Sequence, residues 1–493
     1  MKRGSNRILS FVEQGFREKF ARFRPLAGIL TNSATKEYMR LTSPDNSPRF
    51  RELTMTLFRF VACSLLICLL PGCGKPSVAP TPEVSATGSP AAGAKVKLGP
   101  NDWHQWRGPD RDGIAKGPVV PASWSDGDKP ENIVWKAQIP GRGHSCPIIV
   151  GERIYLETAD EKEQTQSVLC LNRTDGTQIW KTDVFKGKLE KAVHAENTQA
   201  TSTLVCDGEQ LYATFLNDRL VWCVALNLKG EPVWQREVGG FASKFGFSPS
   251  PELYQSLVII AADHQSGGFI AAMQRSSGEI VWRKSRPAFS SYASSRVIKL
   301  GGKDQLVLCG CDLVAGFDPN TGEQLWSTKG TTEATVGTLV TDGDLVFASG
   351  GFPGSETLAL KPDGNVAWRD KEKSYVPSLL IHDGYLYMVN DSGIAYCYAA
   401  KTGTSQWKKR IGGNFRVSPV LSGDNIITTD MQGKTTVFKA NPKEFELVAE
   451  NQLGTEAFSS PAISNGQLFQ RVADNSSGSR QEWLYCIGKP EEN

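Results

Sequence analysis

Along the body of the chain, apolar residues come in runs of about five with a period of two, bounded by Asp-Gly, Thr-Gly or similar pairs. The stretches "SPVLSGDNIITTDMQGKTTVFKA" and "GDLVFASGGFPGSETLALKPDGNVAW" show it plainly. Such a pattern predicts short antiparallel strands joined by tight turns, and the body contains no long amphipathic helix. The pattern also repeats. A Gly-x-x-x-Trp core recurs as "DGTQIW", "KGEPVW", "SGEIVW", "TGEQLW", "DGNVAW" and "TGTSQW", ending at Trp180, Trp234, Trp282, Trp326, Trp368 and Trp407. Successive tryptophans are 54, 48, 44, 42 and 39 residues apart, close to the length of a four-stranded propeller blade.

Each unit follows one plan: a polar lead-in, an apolar strand, a turn, a second and a third strand, then a Gly turn into a Trp strand. The Gly supplies a backbone conformation that ordinary residues resist, and the Trp offers a large flat surface to pack between neighbouring sheets. These residues are therefore assigned to blade docking. One further unit, "GKTTVFKANPKEFELVAENQLG", places Val448 and Ala449 where the Trp would fall. The last, "SPAISNGQLFQRVADNSSGSRQEWLYCIGK", lacks its Trp strand, while "NIVWKAQIPG" near the other end supplies Trp135 without inner strands before it. Pairing the two ends in one blade removes the exposed edges of an open sheet. The expected fold is an all-β, eight-bladed propeller of four-stranded antiparallel blades, its ring closed by N- and C-terminal strands.

Composition agrees, with 48 Gly and 12 Trp among 493 residues. The formal charge of +3 is concentrated in the first 54 residues, which carry 11 basic and 5 acidic side chains; from Met55 onward there are 44 basic and 47 acidic ones. A near-neutral body without a basic stripe excludes nucleic acid as an expected partner. From Met55, "MTLFRFVACSLLICLLPGCGK" has one Arg, an apolar run too short to span a bilayer, and then Leu70-Pro71-Gly72-Cys73. This resembles a bacterial lipoprotein signal peptide: Leu70, Gly72 and Cys73 match the cleavage motif, with Pro71 a departure, and the resemblance makes Cys73 the lipid attachment site. Gly74 provides no acidic retention signal, which by resemblance to enteric sorting favours the outer membrane. The expected order is a gene-model extension (1–54), a signal peptide (55–72), a Pro/Ala/Ser/Gly tether (73–100), a Trp-rich clasp (101–130) and the propeller (131–488).

The repeats resemble the pyrroloquinoline-quinone-like (PQQ-like) repeat family, whose docking motif reads roughly Ala-x-Asp-x-x-Thr-Gly-x-x-x-Trp. Gly316, Asp318, Thr321, Gly322 and Trp326 form the best copy; Ala272, Gly278 and Trp282 form another, with Gln274 in place of Asp. The resemblance spans about residues 131–488 and implies the fold. It leaves function open, because the family holds quinoprotein dehydrogenases carrying the quinone and calcium in a central funnel, and cofactor-free propellers such as the lipoprotein of the outer-membrane β-barrel assembly machinery.

Local chemistry points away from catalysis. The dehydrogenases of the family imply adjacent cysteines over the cofactor, and no Cys-Cys pair occurs. The nearest approach, Cys309 and Cys311 in "LCGCDL", reads as two buried thiols on one face of a strand. The histidines at 104, 144, 194, 264 and 382 have no metal spacing, "PDRDG" from Asp110 reads as a turn and not a calcium loop, and neither haem, zinc nor phosphate motifs occur. No catalytic, cofactor or metal residue is assigned. The connections into the innermost strands should line the channel mouth, and three residues before each Ser-Pro or equivalent position they present His144, Ala200, Tyr292, Thr335, Tyr375, Arg416 and Phe458, with Phe247 in a longer loop and Arg142 flanking His144. This set of aromatics and cations without a carboxylate suits protein recognition. The leading expectation is a periplasm-facing, monomeric lipoprotein scaffold that binds an envelope protein without a cofactor. The alternatives are a pyrroloquinoline-quinone- and calcium-dependent dehydrogenase of alcohols or sugars, and a glycan-binding propeller.

Overall fold

Eight four-stranded antiparallel sheets make up the computed structural model, which describes residues 98–190 and 193–489. The extension, the signal segment, Cys73 and nearly all of the tether lie outside the described residues. Blades 1 to 7 occupy residues 148–186, 205–240, 252–285, 296–329, 340–370, 380–410 and 420–452, each with its strands in sequence order from the channel outward. Blade 8 takes Ala462–Ser464, Gln467–Asp474 and Gln481–Ile487 from the C-terminal end and Ile133–Ile139 from the N-terminal end as its outer strand. The structure is thus an eight-bladed propeller closed by both ends of the chain.

Docking between blades runs from the Trp of one repeat to the Gly of the next. A Cβ at Gly322 (φ +68°) would lie 2.5 Å from the Trp282 ring, and Gly176, Gly230, Gly278, Gly364 and Gly403 stand in the same relation to Trp135, Trp180, Trp234, Trp326 and Trp368. The positive φ lets the chain turn there, and the missing side chain leaves room for the indole face. Most indoles also cap the neighbouring turn: Trp234, Trp368 and Trp407 each donate to a backbone carbonyl of the following blade at 2.7 Å. Trp326 instead donates to the Gln305 side chain within its own blade at 2.7 Å. In blade 7, Ala449 pairs with Val437 at the position the indole takes elsewhere.

The seam between blades 8 and 1 buries ionisable groups. Glu157, on the Arg153–Asp160 strand of blade 1, is fully buried and neither carboxyl oxygen makes a well-formed hydrogen bond. Burial pushes this carboxyl well above its ordinary range, against smaller opposing pulls from the Thr214 amide and the Arg471 charge. The folded chain therefore holds a proton that the unfolded chain releases, so the associated stability is full below about pH 4.5 and declines as pH rises toward the folded value. Glu157→Gln removes that decline: in urea titrations its stability relative to the parent should grow by about 1.4 kcal/mol per pH unit above about pH 5. A constant difference between the two proteins from pH 5 to pH 8 would show that Glu157 does not titrate in this way.

Candidate functional site

The eight innermost strands start around a central channel, and each is preceded by one residue that ties it to its neighbour. These residues are Cys146, Thr203, Ser250, Ser294, Thr338, Ser378, Ser418 and Ser460, all lining one cavity of about 210 Å³. In seven of the eight, all but Thr338, the side-chain oxygen or sulfur accepts from the backbone N–H of the equivalent residue one blade earlier, while Thr338 Oγ1 accepts from the Trp106 indole. Thr203 N–H donates to Ser250 Oγ at 3.0 Å, Ser250 N–H to Ser294 Oγ at 2.9 Å, and Ser418 N–H to Ser460 Oγ at 2.8 Å. The link from blade 8 to blade 1 is Ser460 N–H donating to Cys146 Sγ at 3.2 Å. A small hydroxyl at this place therefore stitches adjacent blades at the axis, where buried N–H groups would otherwise be unpaired.

Two or three residues earlier in these connections stand larger side chains, most of them aromatic. His144, Tyr292, Tyr375, Arg416 and Phe458 of the expected set do line the cavity together. His144 stacks on Phe458 with centroids 4.4 Å apart and planes 9° apart. Burial, then the charges of Arg142, Arg471 and Arg480, hold its imidazole well below the usual range, so the ring is neutral, and its Nε2 lacks a hydrogen-bond partner. Burial, with the nearby Tyr292 and Asp391, pushes the Tyr375 phenol up to about 12.

Three expected members are placed elsewhere. Phe247 is buried in the blade core against Phe241, with ring centroids 5.5 Å apart, and Phe245 takes its place at the cavity because the longer loop shifts the register by two residues. Thr335 is fully buried and donates from Oγ1 to the Thr331 carbonyl at 2.8 Å. Arg142 pairs through its backbone with Ala159 and donates from its guanidinium to the Ala195 carbonyl at 3.0 Å, outside the lining. The ring is also not free of carboxylates. Glu196 lines the cavity and binds Arg416 at 2.8 Å, joining the connection into blade 2 with that into blade 7 across the mouth. Its contribution was hidden because it lies in an insertion that no repeat alignment reaches.

The floor comes from the segment before the propeller. Trp106 closes the channel below the hydroxyl ring, its indole donating to Thr338 Oγ1 at 3.0 Å. Buried arginines hold it there: Arg107 donates to the carbonyls of Leu379 at 2.7 Å and Pro419 at 3.3 Å, and Arg111 pairs with Glu252 at 2.6 Å. Trp103, 2% exposed, packs into the blade 1 and 8 core.

The eight cysteines of the described residues are all buried. Cys311 sits at a turn with φ 60° beyond the strand that holds Cys309, so the two thiols do not share one strand face as the spacing suggested. Burial pushes the Cys170, Cys206, Cys309 and Cys397 thiols up to about 12. Ellman's reagent should leave all eight unreacted in the native protein and modify them only after guanidinium unfolding; rapid native labelling of any of them would contradict this.

Comparison with known proteins now bears on the site. A family model described as outer membrane protein assembly factor BamB matches residues 127–242 and 164–409. The chain belongs to this PQQ-like repeat family. Among solved structures, BamB from Moraxella catarrhalis is similar at 14% identity and a TM-score of 0.53, covering 73% of this chain and 98% of that one. A europium-containing methanol dehydrogenase is similar at 10% identity and 0.60, covering 80% and 99%, and the quinohemoprotein alcohol dehydrogenase from Comamonas testosteroni at 11% and 0.56, covering 82% of each. These likenesses show the shared fold. No curated protein matches by sequence.

The residues lining the channel do not fit a quinone with calcium. Calcium takes six to eight oxygen ligands, usually with several carboxylates. Here the lining offers Glu196 as its one carboxylate, already held by Arg416, and Asn197, whose Oδ1 is taken by the Thr198 N–H and the Thr201 hydroxyl, and among the described residues no cluster of three His, Cys, Asp or Glu side chains is placed to hold a metal.

Proposed function

We propose that the chain is a non-catalytic lipoprotein of the bacterial envelope, held by Cys73 at the outer membrane and facing the periplasm, whose monomeric propeller is a scaffold for another envelope protein. The observation that carries this reading is the mouth of the channel: an aromatic collar whose arginine is paired with Glu196 and Asp391, without the carboxylate cluster that calcium and a general base need. Membership of a family described as an outer membrane protein assembly factor supports it. Beside the mouth, Phe289 in the blade 3–4 connection is 40% exposed and Phe352, in the loop before the third strand of blade 5, is 59% exposed. Large aromatics at that exposure are the kind of anchor that a protein partner covers.

The test places a photo-crosslinking amino acid at Phe289 or Phe352 in cells, with Leu447 on an outer strand as control. A discrete crosslink to one envelope protein from the mouth positions and not from Leu447 is expected. Saturable one-to-one binding of pyrroloquinoline quinone with calcium to the full chain would overturn the reading in favour of a dehydrogenase.

A further inference from the structure

We propose that the channel is an anchor pocket for a single tyrosine side chain carried by a loop of the partner protein, its ring held by the aromatic collar and its hydroxyl set among the seryl hydroxyls above Trp106. The proposal rests on the scaffold reading and names the chemistry by which the partner is held.

Size comes first. At about 210 Å³ the cavity falls below the range of pockets for drug-sized ligands, roughly 300–1,000 Å³, and suits one large side chain. Phe245, Tyr292, Tyr375 and Phe458 stand around it. Aromatic rings at such walls gain offset-stacked or edge-to-face contacts beyond simple burial.

Charge comes second. The ionic groups of the lining are engaged: Arg416 pairs with Glu196 at 2.8 Å and with Asp391 at 3.5 Å, His144 is neutral, and His194 accepts the Glu196 N–H on Nδ1 at 3.2 Å and packs on the Phe245 ring. A carboxylate or ammonium ligand would lose its hydration without gaining a free counter-ion, so charged occupants are disfavoured.

Hydrogen bonding then selects among the neutral side chains. Ser250 and Ser294 accept backbone N–H bonds at 3.0 and 2.9 Å, and among the described residues their own protons have no hydrogen-bond acceptor. A phenyl or aliphatic occupant that displaced water would strand those donors, and an indole, which only donates, would meet them donor to donor. A phenol both accepts and donates, and tyrosine brings large contact area with few torsions to freeze.

The probe is p-cresol, titrated into the full chain by ligand-detected NMR beside toluene. Expected is binding of p-cresol about tenfold tighter than toluene, the worth of one well-made hydrogen bond. Val376→Trp, at a half-buried lining residue away from the hydroxyl ring, should abolish binding, and the Ser250→Ala/Ser294→Ala double variant should bring the two affinities together. No p-cresol binding, equal binding of toluene, or binding that survives Val376→Trp would overturn the assignment, and binding of methyl glucoside in place of p-cresol would give the cavity to a glycan. Crosslinks from Phe352 without p-cresol binding would leave the scaffold reading standing and remove the anchor; p-cresol binding without crosslinks would remove the protein partner.

Discussion

Arg471→Met should lower the free energy of unfolding by about 3–5 kcal/mol, the cost typical of breaking a buried ion pair by removing one partner. Arg471 sits in blade 8 with its guanidinium 1% exposed, and both Nε and Nη2 lie 2.6 Å from Oε2 of Glu482, which is 2% exposed. Its Nη1 reaches across the seam to the Glu157 carbonyl of blade 1 at 2.8 Å. The same guanidinium therefore neutralises a carboxylate within the closing blade and ties that blade to its neighbour. Without it, Glu482 keeps only Arg480 at 2.9 Å and a long contact from the Gly143 N–H at 3.3 Å. Adding Glu482→Met to Arg471→Met removes the stranded charge and should recover part of the loss, since a well-packed apolar pair can replace a buried ionic one. Urea unfolding of both variants provides the measurement. An Arg471→Met protein within 1 kcal/mol of the parent would mean that the seam is held by strand pairing alone.

Much of the architecture was legible because it is written locally and repeated. Gly-x-x-x-Trp recurs at blade spacing, and the incomplete units at Trp135 and after Ser460 complement each other, which is what the shared blade 8 sheet displays. The site was legible only where the repeat frame held. His144, Tyr292, Tyr375, Arg416 and Phe458 follow the Ser-Pro frame and reach the cavity, whereas Phe247 and Glu196 lie in connections whose length departs from it. The hydroxyl ring was in view as the alignment anchor itself, yet its role depends on N–H groups of the preceding blade, a contact between residues about 40 to 50 apart. Arg111 reads as part of a polar turn and Arg107 as part of the clasp segment before it, because no local pattern shows that a propeller will close over them. The comparisons name a family, but at 10 to 14% identity the solved structures speak for the fold alone, so choosing between scaffold and dehydrogenase depends on the donor set of the channel.

Trp282→Ala should cost about 3–5 kcal/mol, the range for truncating a fully buried Trp, while the same change at Trp326 should cost roughly 1.5–3 kcal/mol. The two residues occupy equivalent places in adjacent repeats, so the motif alone would give them equal weight. Their surroundings differ. Trp282 has no exposed surface, packs on Gly322 of blade 4 and donates to the Pro319 carbonyl at 3.1 Å, so its loss opens a cavity and leaves an acceptor unpaired at a blade interface. Trp326 is half-buried, and its indole bonds Gln305 of its own blade, so its removal loosens the packing on Gly364 with less interior to refill. In a ring of eight blades, weakening one interface leaves the others closed, and the loss should appear in the midpoint of denaturant unfolding with little change in its slope. Equal costs at the two positions would show that the docking motif, and not its burial, sets the strength of each blade contact.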